Sequence, residues 1–126
     1  MVRDDLKYTK EHEWVKLQGN IAAVGITDYA QGELGDIVFI ELPEAGTAVE
    51  QMKPFGTIEA VKAVSELFAP LSGKVHSRND ELLDDAGKIN ADPYGAGWMI
   101  KIELSNPQEA ESLLSPDEYR QLSGDK

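Results

Sequence analysis

Lys62 is the residue whose setting points most directly to chemistry. It lies in Gly56-Thr57-Ile58-Glu59-Ala60-Val61-Lys62-Ala63-Val64-Ser65-Glu66-Leu67-Phe68-Ala69-Pro70-Leu71-Ser72-Gly73, between two β-prone runs of similar length. Such runs joined by a short segment read as a hairpin, which would carry the lysine at its exposed tip. An amine there can be acylated by an enzyme that finds the turn. A lysine on a turn is most often only solvated, and nothing sets the other eight lysines apart. Lys62 differs in its context: Glu59 stands three residues before it and Glu66 four after. Small or apolar neighbours flank it, and a Pro-x-Ser-Gly turn follows. His12-Glu13 is the second place where acid-base or metal chemistry suggests itself. The only other imidazole is His76, and the chain has no cysteine, so neither a ligand set nor a nucleophile-base pair has its partners in local spacing. His12 therefore reads as structural or as part of a recognition surface. Disulfide scaffolds, thiolate zinc sites and cysteine nucleophiles are excluded, and no phosphate-binding glycine loop is present. The acids of Asp80-Glu81 and Asp84-Asp85-Ala86-Gly87 do not have the spacing of a calcium-binding loop. The chain is poorly equipped to be an enzyme on its own.

The elements that must position Lys62 are short and mostly extended. Residues 13–17 and 21–24 flank Gln18-Gly19-Asn20 and predict a hairpin. Thr27 is placed to cap a helix over Asp28–Leu34, with Gly35 as its stop. Residues 37–42 are β-branched and apolar and predict a buried strand. Short strands are expected over 47–50, 56–61, 64–69 and 73–76, each bounded by Gly, Pro or Ser. Asn79 is placed to cap a helical turn through Glu81-Leu82-Leu83. Residues 98–104 alternate as a half-buried strand does. Asn106-Pro107-Gln108-Glu109 and Ser115-Pro116-Asp117-Glu118 each set a capping residue before a proline and a Glu three positions on. Two short C-terminal helices over about 106–122 are the expectation, fraying after Leu122. Tyr94 and Trp98, among glycines, are expected to brace the body of the fold. The pattern is that of a mainly β chain with short α-helices, a small barrel or sandwich forming one domain over 1–126.

The segment around Lys62 resembles the lipoyl-attachment segment of lipoate-bearing proteins. With its flanks the chain resembles the H-protein family of the glycine cleavage system. The resemblance runs through Tyr8, His12-Glu13-Trp14-Val15, residues 25–31, Leu34-Gly35-Asp36, Leu42-Pro43 and Gly46. It continues through Glu59, Val61-Lys62-Ala63, Ser65, Pro70-Leu71-Ser72-Gly73, Asn79, Ile89-Asn90 and Asp92-Pro93-Tyr94-Gly95-x-Gly97-Trp98. No single block is decisive; the ordered series is specific. Ala60 stands where the family usually has Ser, and residues 84–88 replace a more usual acid-Pro-acid approach to Ile89. Neither departure removes the acceptor lysine. The resemblance implies a lipoyl-domain-like barrel-sandwich hybrid with C-terminal helices, its lipoyl hairpin spanning about 56–75. It implies lipoic acid joined to Lys62 as an amide, and a non-catalytic carrier. That carrier takes the aminomethyl group of glycine from the pyridoxal-phosphate decarboxylase (P protein) to the aminomethyltransferase (T protein). It then passes electrons to dihydrolipoyl dehydrogenase (L protein), and a lipoate ligase or lipoyltransferase is a further partner. In the family the loaded arm rests in a cleft of the carrier, and the corresponding acids here are Glu13, Glu66 and Glu11. Glu11 replaces a small polar residue. An H-like protein that relays lipoate to other dehydrogenase complexes is the alternative within this class. A biotin carrier is disfavoured because Val61 and Ala63 stand where methionines would flank the lysine. An unmodified acidic binding module is the alternative outside it.

Composition fits a carrier that meets its partners transiently. The 126 residues hold 23 acidic and 12 basic side chains, a net charge of −11. Such a charge makes nucleic acid and anionic membranes poor partners. No apolar run approaches the ~18 residues needed to span a bilayer. Met1-Val2-Arg3-Asp4-Asp5 opens on charge, with no secretory or transit pattern. A cytoplasmic protein is the expectation, with a processed mitochondrial matrix protein as the alternative.

Overall fold

Period-two alternation decides which strand faces meet. Ala22 and Val24 are buried opposite Ile102 and Ile100 on a neighbouring strand, while the residues between them stay at least partly exposed. In the computed structural model, which describes residues 2–124, nine strands form two antiparallel sheets. They are β1 (Lys7–Tyr8), β2 (Glu13–Gln18), β3 (Ile21–Ile26), β4 (Ile37–Glu41), β5 (Ala48–Val49), β6 (Pro54–Ala60), β7 (Val64–Phe68), β8 (Gly73–Arg78) and β9 (Ile100–Leu104). The larger sheet runs β1-β2-β3-β9-β8-β5, and the smaller runs β4-β6-β7. Their inner faces contribute to one apolar core, with Val15, Val24, Val75 and Ile102 from the first sheet and Ile40, Ile58 and Leu67 from the second. Four short helices complete the chain: α1 (Asp28–Leu34), α2 (Glu81–Asp84), α3 (Lys88–Ala91) and α4 (Pro116–Ser123). This mainly β barrel-sandwich with short helices is the expected class.

A second apolar cluster fastens the C-terminal helix to the sheet. Tyr8 and Tyr119 stack with ring centroids 4.5 Å apart and planes 9° from parallel, beside Trp14 and Leu6. Trp14 lies flat over Gly25, where a Cβ would come within 2.7 Å of the indole, and its Nε1–H donates to the Pro93 carbonyl at 2.9 Å. The helix itself starts as the sequence predicts. The Ser115 hydroxyl accepts from the Glu118 N–H and the Glu118 carboxylate accepts from the Ser115 N–H, a reciprocal cap.

Several local expectations gave way to tertiary partners. The strand expected over 37–42 forms over Ile37–Glu41, but Val38 is 59% and Phe39 45% exposed, because β4 is an edge strand with a bulge between Ile37 and Phe39. The Asn79 side chain does not cap α2; it donates to the Ala96 and Trp98 carbonyls, both at 2.8 Å, and Asp80 occupies the cap position. The Asn106–Glu109 signal yields a 3-10 turn over Pro107–Ser112 with no side-chain cap. Glu109 instead accepts from the Ser72 N–H at 2.7 Å and the Ser72 hydroxyl at 2.9 Å. Strand β1 and helix α3 were not anticipated, each being too short to leave a periodic signal.

Candidate functional site

The hairpin that carries Lys62 is closed by pairing on both sides. In β6 and β7, Thr57 faces Glu66, Ile58 faces Ser65 and Glu59 faces Val64, leaving Ala60 to Ala63 as the connection. The Ala60 N–H donates to the Ala63 carbonyl at 2.8 Å, and the Val61 N–H donates to the Asp36 carbonyl at 3.0 Å. The second bond ties the tip to the segment that follows α1. Lys62 is exposed there. Val61 and Val64 beside it are 73% and 68% exposed, and Val38 and Phe39 of β4 extend this apolar surface along the adjoining strand.

Gly35 decides where the lysine lies. A Cβ at this position would come within 3.0 Å of Lys62 Cε and 3.6 Å of Nζ, so the lysine chain runs over the bare glycine. The backbone of Gly35 has φ 78° and ψ −154°, a region open essentially to glycine alone. Thr27 starts the same helix as expected, its hydroxyl accepting from the Ala30 N–H at 3.2 Å. A Gly35→Ala variant should lose about 1–3 kcal/mol of stability in urea unfolding, the usual cost of a residue forced into such a region. Its lysine should also be displaced, which proteolytic protection of the hairpin can follow.

Next to Gly35, α1 and the strand ends enclose a cleft of about 310 Å³, near the lower end of the range typical of small-molecule sites. Ile26, Leu34, Ile58 and Leu67 supply apolar wall, and four carboxylates line it: Glu11, Glu13, Glu33 and Glu66. Among the described residues no lysine or arginine lines it. A concave site with one sign of charge and apolar walls concentrates its field on whatever enters. The three acids singled out from the sequence thus converge on one cavity. Among the described residues no group of acids and imidazoles is arranged to hold a metal ion.

Glu13 is the unusual member. It is only 1% exposed. Burial pushes its carboxyl up to about 7 from an ordinary value of 4.5, against the opposing pull of its hydrogen bonds. The Thr9 hydroxyl donates to its Oε1 at 2.5 Å, and the Phe68 N–H reaches Oε2 at a long 3.4 Å. Thr9 Oγ1 also accepts from the Glu11 and Glu13 N–H groups, both at 3.2 Å. This tight loop forces His12 to a positive φ of 71°, rare for a residue with a side chain. Its ring packs against Tyr29 of α1 with centroids 4.7 Å apart. Burial lowers the tendency of His12 to take a second proton. Thr9, Tyr29 and Glu33 were missed from the sequence. For the last two a signal existed, since Tyr29 and Glu33 are four apart and share a face of α1.

A larger concavity of about 850 Å³ lies at the other end of the hairpin strands, lined by residues around Ser72, Gly73 and Glu109. There the Ser72 hydroxyl and the Glu109 carboxylate are bonded to each other, and Lys74, Glu50 and Glu103 give it a mixed-charge lining. The acidic cleft, lined by Leu34 next to the Gly35 that Lys62 crosses and by Ser65 and Glu66 of the hairpin, is the site with chemical content.

Two sheets closing on one core, with a lysine on the tip of a hairpin, define a barrel-sandwich of the lipoyl-domain type. The comparisons narrow this class. The family model for the glycine cleavage H-protein matches residues 6–126. A glycine cleavage system H protein of Carboxydothermus hydrogenoformans is 54% identical over 122 residues, covering 97% of this chain and 94% of its own. One from Staphylococcus haemolyticus is 52% identical over 124 residues, covering 98% of each. The crystal structure of the H protein from Mycobacterium marinum superposes with a TM-score of 0.88 at 37% identity, covering 98% of this chain and 99% of that one. The chain belongs to the glycine cleavage H-protein family, whose members are non-catalytic carriers with lipoate bound to a lysine.

Proposed function

We propose that this chain is the lipoylated carrier of the glycine cleavage system, that Lys62 is its attachment point, and that the acidic cleft is where the arm rests. The observation that carries the reading is the path of Lys62. Its side chain leaves an exposed tip and crosses Gly35, and the preceding residue, Leu34, lines a cleft with four carboxylates. The lysine, the bare glycine and the apolar-walled cavity fit a slender acyl arm. When bound, lipoate supplies an exchangeable disulfide able to carry the aminomethyl unit of glycine and then a pair of electrons.

The protein's own residues hold and release. Lys62 provides the amide nitrogen and the reach. Ile26, Leu34, Ile58 and Leu67 exclude water from the cleft. Glu13, with Glu66 and Glu11 nearer solvent, binds a cationic amine. A carboxylate a few ångströms from an ammonium gains roughly 1–4 kcal/mol between water-like and surface conditions. Because Glu13 titrates near 7, a cation docking beside it favours its ionised form and displaces a proton. Tethering keeps the arm at high local concentration for each enzyme that docks. The P, T and L proteins are the partners this reading requires. A net charge of −11 would steer the chain towards basic docking faces. The enzyme that attaches lipoate would cover Val61 and Val64. Residues 1–126 act as one carrier unit, and the bacterial relatives favour the cytoplasm as its place of work.

The test is intact mass and peptide mapping after incubation with a lipoate ligase, ATP and lipoic acid. A gain of one lipoyl group on the peptide holding Lys62 is the expected result. No gain, with a ligase that modifies a known acceptor in the same tube, would return the chain to an unmodified binding module.

A further inference from the structure

The C-terminal helix reaches the cleft through one hydroxyl group. Tyr119 of α4 is fully buried. Its phenol oxygen lies 2.7 Å from His12 Nδ1 and 2.7 Å from Thr27 Oγ1. His12 lines the cleft, and Thr27 is the N-cap of α1, whose Tyr29, Ala30, Glu33 and Leu34 line it too. One phenol therefore joins α4, the tight loop that bears Glu13 and the start of the helix opposite.

The protons in this chain can be assigned by exclusion. Burial keeps the Tyr119 phenol protonated far above neutral pH, so it has one proton to give. Thr27 Oγ1 already accepts the Ala30 N–H, and the residue is 0% exposed. Among the described residues its own proton has one hydrogen-bonding acceptor, the phenol oxygen. The phenol proton must then go to His12 Nδ1, which acts as acceptor. A neutral imidazole with Nδ1 as acceptor carries its proton on Nε2. Nε2 makes no hydrogen bond to the described residues of the protein.

We infer that Tyr119 is a positioning residue of the cleft: its hydroxyl fixes His12 in the Nε2–H form and holds the ring so that this N–H is offered to an acceptor atom of the bound arm. The inference rests on the cleft being the resting place of the arm. The site then presents carboxylates to a cationic end and one N–H donor to a carbonyl or sulfur on the same ligand. The left-handed backbone of His12 is held by the bonds on either side of it. Its N–H donates to the Thr9 carbonyl at 3.1 Å, and its carbonyl accepts from the Thr27 N–H at 3.0 Å.

The test uses the full chain and the Tyr119→Phe variant, which keeps the ring stacked on Tyr8 and removes only the hydroxyl. Nitrogen NMR of His12 reads the tautomer directly, before any lipoylation. The wild type should show a bare Nδ1 and a protonated Nε2, and the variant a mixture of both forms. After lipoylation and loading with carbon-labelled glycine and P protein, the variant should lose its label about fivefold faster, the scale of one neutral hydrogen bond. Its lipoylation by the ligase should be unchanged. A wild-type His12 protonated on Nδ1 would overturn the inference, even if the variant failed to fold. So would an unchanged His12 spectrum in the variant, or equal label loss from both proteins. If the label were unprotected even in wild type, the cleft reading itself would fail, while the spectrum would still decide what Tyr119 does to His12.

Discussion

A Lys62→Arg chain should fold as the wild type does and carry nothing. Arginine keeps the charge and most of the aliphatic stem, but its guanidinium stays protonated and is not an acyl acceptor at neutral pH. Lys62 is exposed, so the change should alter stability by no more than about 0.5 kcal/mol. The mass gain under lipoate ligase should vanish, although eight other lysines remain. Glycine-dependent reduction of NAD in a mixture with P, T and L proteins should fall to background, because tethering cannot be replaced by free lipoate at ordinary concentrations. The geometry explains why no neighbour takes over. Lys62 alone stands at the tip of the hairpin, with the Val61 N–H bound to Asp36 behind it and Gly35 beneath its stem. A residual mass gain mapped to another lysine would show that the ligase reads something other than this turn.

The sequence made Lys62 and the hairpin legible because their signals are local. Glycine, proline and small residues set the turn, and β-branched residues set the strands. The same holds for α1, capped by Thr27 and stopped by Gly35, and for the Ser115-Glu118 box of α4. Where a side chain could serve two masters, local reading failed. Asn79 and Glu109 both carry capping signals, yet each satisfies groups elsewhere in the chain, 17–19 and 37 residues away. Composition alone reads residues 37–42 as a buried strand, and it is the sheet edge and the bulge between Ile37 and Phe39 that leave Val38 and Phe39 facing out. The acids of the cleft were suggested by resemblance. The groups that tune them could not be, since the bond of Tyr119 to His12 spans 107 residues and that to Thr27 spans 92. No periodicity encodes such pairs; they follow from packing α4 on β1.

Replacing Glu13 by Gln should make the protein more stable at alkaline pH and worse at its task. In the folded chain the Glu13 carboxyl titrates near 7, against 4.5 for an ordinary glutamate. Between those values the folded state holds a proton that the unfolded state has released. Stability therefore falls as pH rises through this window and levels off above about 7. The full span corresponds to about 3 kcal/mol. Glutamine is isosteric and uncharged, so it removes this penalty; it still accepts from the Thr9 hydroxyl and gives up only the long contact from Phe68. At pH 8 the variant should gain roughly 2 kcal/mol in urea unfolding, and near pH 5 it should match wild type within about 1 kcal/mol. A neutral amide cannot pair with a cation. Retention of glycine-derived label should drop at least tenfold, the low-to-middle part of the roughly 1–4 kcal/mol available to such a pair. The opposite signs of the two effects are what identify a functional group: a carboxylate kept for stability would cost stability when removed, whereas one kept for binding is a burden until its cation arrives. Equal stability of the two proteins at pH 8 would mean that Glu13 ionises in the folded chain without cost, and the proton-linked grip assigned to it would have to be abandoned.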